Sequence, residues 1–297
     1  MSAGDALRLG SGQAVTVVIV NYNAGPQLQQ CLSSAAADLA DVAWRAIVVD
    51  NASADRRALD QLPQRVALIR NEANRGFGAA VNQATRQDDA PLLWLLNPDS
   101  RVVAGAFSAM RMTLERHKDC AVVAPQLLNS DGTTQESARG EPTAWTGVFG
   151  RHGLLTRWFP NAGAARRNLR ARDLVASTTE SAEIDWAMGA SLLIRREIFD
   201  RVRGFDERFF LYWEDADLCR RIRDLGYTVR FVPRAHVVHA GAASSRTARR
   251  LATRAFHRSA YLYFSTHTVP SPWHPARWLA WITLSVRSWW RAYVSRA

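Results

Sequence analysis

The sequence predicts an α/β protein, with a mostly parallel central sheet flanked by helices and a helical C-terminal extension. Three observations lead there. β-branched apolar runs alternate with helical stretches through the first half of the chain, as expected of a parallel sheet covered on both faces. Polar residues gather abruptly where those runs end. Beyond Asp224 there is no Asp or Glu at all, and the pattern becomes helical, basic and Trp-rich.

The elements follow in order. Val15 to Val20 is a continuous β-branched run, read as a strand buried on both faces. Gly25-Pro26 opens a helix to about Ala37. Ala46–Val49 and Val66–Ile69 are the next strands, and a helix follows from about Gly76 to Arg86. Leu92–Leu96 is a strand, Ala104–His117 a helix and Ala121–Ala124 another strand. From 129 to 181 periodicity is lost in a Gly-, Ala-, Arg- and Ser-rich stretch, a variable excursion. Order returns at Ile184–Arg195, and a helix from about Glu214 to Leu225 ends at Gly226, the residue expected just past a helix end. Thr228–Val232 and His236–His239 read as late strands. Arg246 to about His267 reads as a helix, and Pro270, Pro272 and Pro275 separate it from a final Trp-rich helix. The division is a tail (1–13), a catalytic domain (14–243) containing the excursion, and a basic C-terminal extension (244–297).

The chain of 297 residues is 47% apolar and 22% charged, ordinary globular values that exclude disorder and collagen-like structure. The uncharged stretch Trp278–Val286 is far shorter than the roughly 20 residues of a spanning helix. No apolar run follows a basic start, so no secretory signal is expected. Cys31, Cys120 and Cys219 are too far apart for a CxxC metal pair and form no disulfide framework, which fits a reducing cytoplasm. The net charge of +11 equals the eleven arginines after residue 224; the first 224 residues are neutral. Five of eleven tryptophans lie between Trp273 and Trp290. Arginine mixed with tryptophan suggests an anionic surface, membrane or nucleic acid.

In open parallel sheets, ligands bind beyond the carboxyl ends of the strands. Here strand one ends in Asn21-Tyr22-Asn23, strand two in Asp50-Asn51-Ala52-Ser53 and the fourth in Asn97-Pro98-Asp99-Ser100. Turn and cap chemistry accounts for any one of these endings, less well for all three. No GxGxxG follows the first strand, so a dinucleotide fingerprint is absent. Asn74-Arg75-Gly76-Phe77-Gly78 sets two glycines at a helix start, where backbone N–H groups can meet a ligand or the glycines permit close packing. Asp50 can accept the imino N–H of a uracil or thymine ring, since a wrong edge would leave a buried charge unpaired. Asn23, Asn51 and Gly76 would line the same pocket.

Together VTVVIVNYN, VVDNAS, NRGFGAAVN and LLNPDS resemble family 2 glycosyltransferases of the GT-A (Rossmann-like) fold. The later stretch MGASLLIRREIFDRVRGFDERFFLYWEDADLCRRI is similar to the bacterial dTDP-rhamnosyltransferase branch. The resemblance spans about residues 15 to 243. It implies inverting transfer of a sugar, L-rhamnose from dTDP-L-rhamnose, onto a saccharide acceptor in cell-surface polysaccharide (O-antigen or a related glycan), with the acceptor lipid-linked. A UDP-sugar donor is the alternative. Two positions depart from the pattern: Asn97 replaces the first Asp of DxD, and Arg203 stands where the family often has Gly.

The resemblance places Asp99 at the diphosphate, with Mg2+ or Mn2+ offsetting charge on the departing phosphate. Mg2+ needs only one or two carboxylates plus substrate phosphates, so Asp99 alone suffices as carboxylate. Asn97 would touch the ribose or sugar. His239 matches a family His that binds the metal, with His236 the competing candidate. The base that takes the acceptor proton falls on Asp215, supported by Glu214; Gly189 and Trp213 fall on the acceptor side. Asp217 is explained by pairing with Arg220 and Arg221 at spacings of three and four.

The resulting expectation is a cytoplasmic enzyme, peripheral on the inner face of the membrane and held to anionic lipid by the arginines and tryptophans of its last helix. No nucleic acid is expected as partner. The competing readings are a nucleic-acid-binding protein using the basic tail, and a non-catalytic scaffold, which Asn97 alone favours.

Overall fold

The computed structural model describes residues 14–142, 180–241 and 249–294. The expected tail (1–13), most of the excursion (143–179), the helix start at Arg246 and the terminal Arg296 lie outside them.

Strands β1 (Val15–Asn21), β2 (Trp44–Asp50), β3 (Val66–Arg70) and β4 (Leu92–Leu96) form the parallel half of the sheet, with α1 (Pro26–Asp38) and α2 (Phe77–Thr85) between them. All seven residues of β1 are buried. Its alternating side chains feed two cores: Val15, Val17 and Ile19 face α1, while Val18 and Val20 face α2. β5 (Ser100–Val102), α3 (Ala106–Arg116) and β6 (Cys120–Leu128) follow. The excursion contributes β7 (Ala138–Arg139); β8 (Ala182–Ile184) and β9 (Trp186–Ala187) follow it, with β7 and β9 pairing apart from the main sheet. Next come β10 (Ser191–Arg195), α4 (Arg196–Arg201), α5 (Glu214–Asp224), β11 (Thr228–His239), α6 (Arg249–Tyr263), a π-helical turn (Phe264–Thr268) and α7 (Pro275–Val294).

The sheet order is β3-β2-β1-β4-β10-β6-β11-β5, with β8 on β11. The α/β class is as expected, but the sheet is mixed: β10 runs antiparallel to β4 and β6, and β11 antiparallel to β5 and β8. Alternation of strands and helices could not reveal this, because β8 and β10 follow the aperiodic excursion and β5 is only three residues long. The two expected late strands are one strand, with an irregularity between Val232 and His236 that accommodates Pro233.

The quoted motifs also hold the fold together. The Asn82 amide donates to Phe205 O and its Oδ1 accepts from Phe205 N–H, each at 2.9 Å, tying α2 to the Gly204-Phe205 turn. A Cβ on Gly78 would stand 2.8 Å from the Cβ of Phe205, so only glycine fits there.

Candidate active site

Parallel registry aligns the carboxyl ends of β1 and β2, pairing Asn21 with Asp50, and β4 ends beside them. A cleft of about 390 Å3 opens there. Of the sequence-predicted residues, Asn51, Gly76, Asn97, Asp99, Gly189, Trp213, Glu214, Asp215 and His239 all reach its wall. Asn23 and Asp50 are not among the lining residues, although each is next in sequence to one, Tyr22 and Asn51.

Asp50 is fully buried. Its Oδ1 accepts from the Asn21 amide at 2.9 Å; its Oδ2 has no hydrogen-bond partner, the nearest cation being Arg56 Nε at 3.8 Å. Asn21 Oδ1 is likewise unsatisfied. Buried acceptors without donors are costly unless a ligand supplies one. Asn23, at φ 56°, takes a structural part: its N–H donates to Ser53 and its Oδ1 accepts from Ala54 N–H. Asn51 is spent as a clasp, donating to Asn74 Oδ1 and Gly76 O and accepting from Asn71 and Arg75 N–H. Gly76 permits close packing: Phe210 O accepts the Phe77 N–H at 3.1 Å, and a Cβ on Gly76 would lie 2.3 Å from that oxygen.

Antiparallel pairing of β11 with β5 sets His239 opposite Ser100. His239 Nε2 lies 3.4 Å from Asp99 Oδ1 and 3.3 Å from Asn97 Nδ2. Gln135 fixes the ring. Its amide nitrogen donates to His239 O and Asn129 Oδ1, so its Oε1 faces His239 Nδ1 at 3.1 Å as acceptor. The proton therefore sits on Nδ1, and Nε2 presents a lone pair toward Asp99. His236 does not line the cleft. Among the described residues no group of three or more His, Cys, Asp or Glu forms a cage, so a cation here would take Asp99 and His239 and complete its shell from substrate oxygens. The oriented lone pair beside a shielded carboxylate fits such an ion.

Asp215 Oδ2 accepts the Gly189 N–H at 3.0 Å and its Oδ1 the Ala216 N–H at 2.8 Å. Glu214 is buried with Oε2 unsatisfied. Burial, then the charges of Asp215 and Asp217, raise its pKa well above the usual carboxylate value, which favours its protonated form. Asp217 pairs with Arg221 at 2.7 Å as expected, whereas Arg220 turns to Asp224 and Glu141.

Sequence reasoning missed the part played by α6. Trp213 and Tyr212, both at positive φ (70° and 66°), lean on Phe256, and Trp213 also on Tyr263. Ser259 donates to Leu211 O, and His267 Nε2 lies 2.7 Å from Asp217. Strained backbone of this kind persists where packing holds it. Gln135, and Arg139, which among the described residues is the only Arg or Lys lining the cleft, were also missed, since the excursion has no period to mark them. The three cysteines are buried with thiol pKa values pushed up to about 12, chiefly by burial, and are inert.

Residues 16–203 match the family described as Glycosyl transferase family 2. The chain belongs to this family. Residues 135–295 match a second description, Glycosyl transferase family group 2. The N-acetylglucosaminyl-diphospho-decaprenol L-rhamnosyltransferase of Mycobacterium tuberculosis is 31% identical over 290 residues, covering 92% of this chain and 91% of that one. Rhamnosyltransferase WbbL of Escherichia coli is 43% identical over 56 residues, 19% of this chain and 21% of its own. Two solved structures share the fold: GalNAc-T7 with UDP, GalNAc and Mn2+ (TM-score 0.60, 17% identity, 87% of this chain and 52% of that one), and the Pyrobaculum calidifontis mannosyltransferase PcManGT with GDP-Man and Mn2+ (0.57, 17%, 95% and 72%). The fold is GT-A, and the protein is a glycosyltransferase of glycan synthesis.

Proposed function

We propose that this glycosyltransferase transfers L-rhamnose from dTDP-L-rhamnose, with inversion, to a polyprenyl-diphosphate-linked saccharide in O-antigen or related cell-surface polysaccharide synthesis. The observation that carries the reading is one cleft holding a backbone-anchored carboxylate, Asp215, together with the Asp99–His239 pair. The mycobacterial relative, similar along nearly its whole length, supports the sugar and the lipid-linked acceptor.

The unsatisfied Asp50 Oδ2 accepts the thymine imino N–H; uracil offers the same edge, so a UDP-sugar remains the competing donor. Arg139 faces the diphosphate. The acceptor hydroxyl oxygen attacks the anomeric carbon opposite the leaving group while Asp215 takes its proton; the bond to the diphosphate breaks and its electron pair goes to the phosphate oxygen. Mg2+ or Mn2+ held by Asp99 and His239 would offset that developing charge. The raised pKa of Glu214 favours its neutral form beside Asp215 and so favours Asp215 as the acceptor of the proton. Gly189 and Trp213 border the acceptor, and Asn97 touches the sugar or ribose.

The enzyme works on the cytoplasmic face of the membrane, peripheral to it, with the basic C-terminal quarter toward anionic lipid. No described helix is long and apolar enough to cross a bilayer. Release of nucleoside diphosphate from a panel of nucleotide sugars tests the donor: dTDP-L-rhamnose is expected to be consumed fastest, and faster use of a UDP-sugar would reassign it.

A further inference from the structure

The last helix exposes the tryptophans that its sequence predicts for a membrane surface, while its arginines divide: Arg277 and Arg287 are half-buried on the arc of buried Ala280 and Leu284, Arg277 donating to Pro270 O, and Arg291 is exposed. Arg287 and Arg291 crowd the buried His257 of α6; burial and then these two guanidinium charges lower its pKa. The outer arc carries Trp278, Leu279, Ile282, Val286, Trp289 and Trp290, all more than half exposed, with Trp281 at its edge and no charge among them. Four exposed indoles present on the order of 500 Å2 of apolar surface, at the upper end of what a monomer shows to water.

We infer that this outer face of α7 sinks into the interfacial layer of an anionic bilayer, so that burial of Trp, Leu, Ile and Val, rather than arginine–phosphate attraction, holds the enzyme there. The inference rests on the membrane reading above and specifies its mode. Trp is the side chain suited to headgroup depth, and a helix apolar on one side only, not apolar enough all round to span, lies in the membrane plane. The occupant is a bilayer rather than a second copy, because no acidic residue follows Asp224 and two such quarters would face each other with like charge. α6 packs against α7 and lends Leu251, Ala252 and Phe256 to the cleft wall, so the inserted face stands one helix away from the site. A lipid-linked acceptor would leave the bilayer beside it.

The test is sedimentation of the full chain with phosphatidylcholine vesicles, with and without phosphatidylglycerol. Binding to the anionic vesicles is expected to survive about 1 M salt, where charges are screened within about 3 Å. Leu279→Glu with Ile282→Glu should lower partitioning at least about tenfold per residue at unchanged melting temperature, whereas Arg287→Gln should not. Should the double variant unfold, quenching of wild-type tryptophan fluorescence by bromolipid decides: quenching supports insertion, its absence overturns it. Salt-released binding that the double variant retains would overturn insertion and leave surface attachment standing. No binding to either vesicle in low salt would overturn both. A dimer dispersed by the double variant would assign the face to self-association instead.

Discussion

His239 Nε2 stands 3.4 Å from Asp99 Oδ1 because β11 returns antiparallel to β5 and delivers a late histidine beside an early carboxylate. Gln135 holds the imidazole with its lone pair toward that carboxylate. His239→Ala and Asp99→Ala are therefore expected to abolish divalent-ion binding, measured by calorimetry with nucleoside diphosphate present. Gln135→Leu removes the orienting contact, along with the bonds to His239 O and Asn129, and should weaken it by about 10–100-fold, the usual effect of a partner behind a ligand. Full transfer activity in excess chelator would contradict the metal assignment.

Glu214 gives a pH signature. Folding raises its pKa above the ordinary 4.5, so the folded chain binds this proton more tightly than the unfolded chain. Its contribution to stability is then full below that ordinary value and is lost as pH rises toward the folded pKa. Glu214→Gln cannot ionise. Its melting temperature relative to wild type should rise between pH 4 and pH 8; parallel curves would show that Glu214 ionises freely in the fold.

Two glycines of the cleft should behave differently. At Gly76 a Cβ meets backbone oxygen at 2.3 Å with φ at 85°, so Gly76→Ala should cost about 2 kcal/mol or more of stability. At Gly189 the nearest atom to an added Cβ is Asp215 Cβ at 3.5 Å, ordinary contact. Gly189→Ala should fold within about 1 kcal/mol of wild type yet raise KM for the acceptor, because the lost space belongs to the substrate. Unchanged acceptor KM would remove Gly189 from the acceptor side.

What was legible in the sequence has a physical cause. Asn21, Asp50 and Asp99 stood out because these buried strands are almost wholly apolar before their ends, so the switch to polar marks the sheet edge. Arg203 was legible as an oddity where glycine is common, and it adopts φ 61°, the left-handed region that favours glycine. Gln135 and Arg139 were hidden because residues that act through loops leave no period. Which arc of α7 is covered was not readable, because only its packing on α6 shows that Arg277 and Arg287 share the covered side with Ala280 and Leu284. The clasp made by Asn51 was equally unreadable, since Asn21 ends β1 and Asn51 follows the end of β2 with the same side-chain chemistry, while only Asn51 has all its polar atoms engaged within the protein.

The most direct test of the account is transfer by the purified enzyme from dTDP-L-rhamnose to a polyprenyl-diphosphate-linked N-acetylglucosamine, with the product linkage read by NMR, for wild type and Asp215→Asn. The account predicts a rhamnosylated product of anomeric configuration opposite to the donor's. It also predicts a fall in turnover of about 10²–10⁴ in Asp215→Asn at unchanged donor affinity. Retained configuration, or near wild-type turnover in Asp215→Asn, would contradict it.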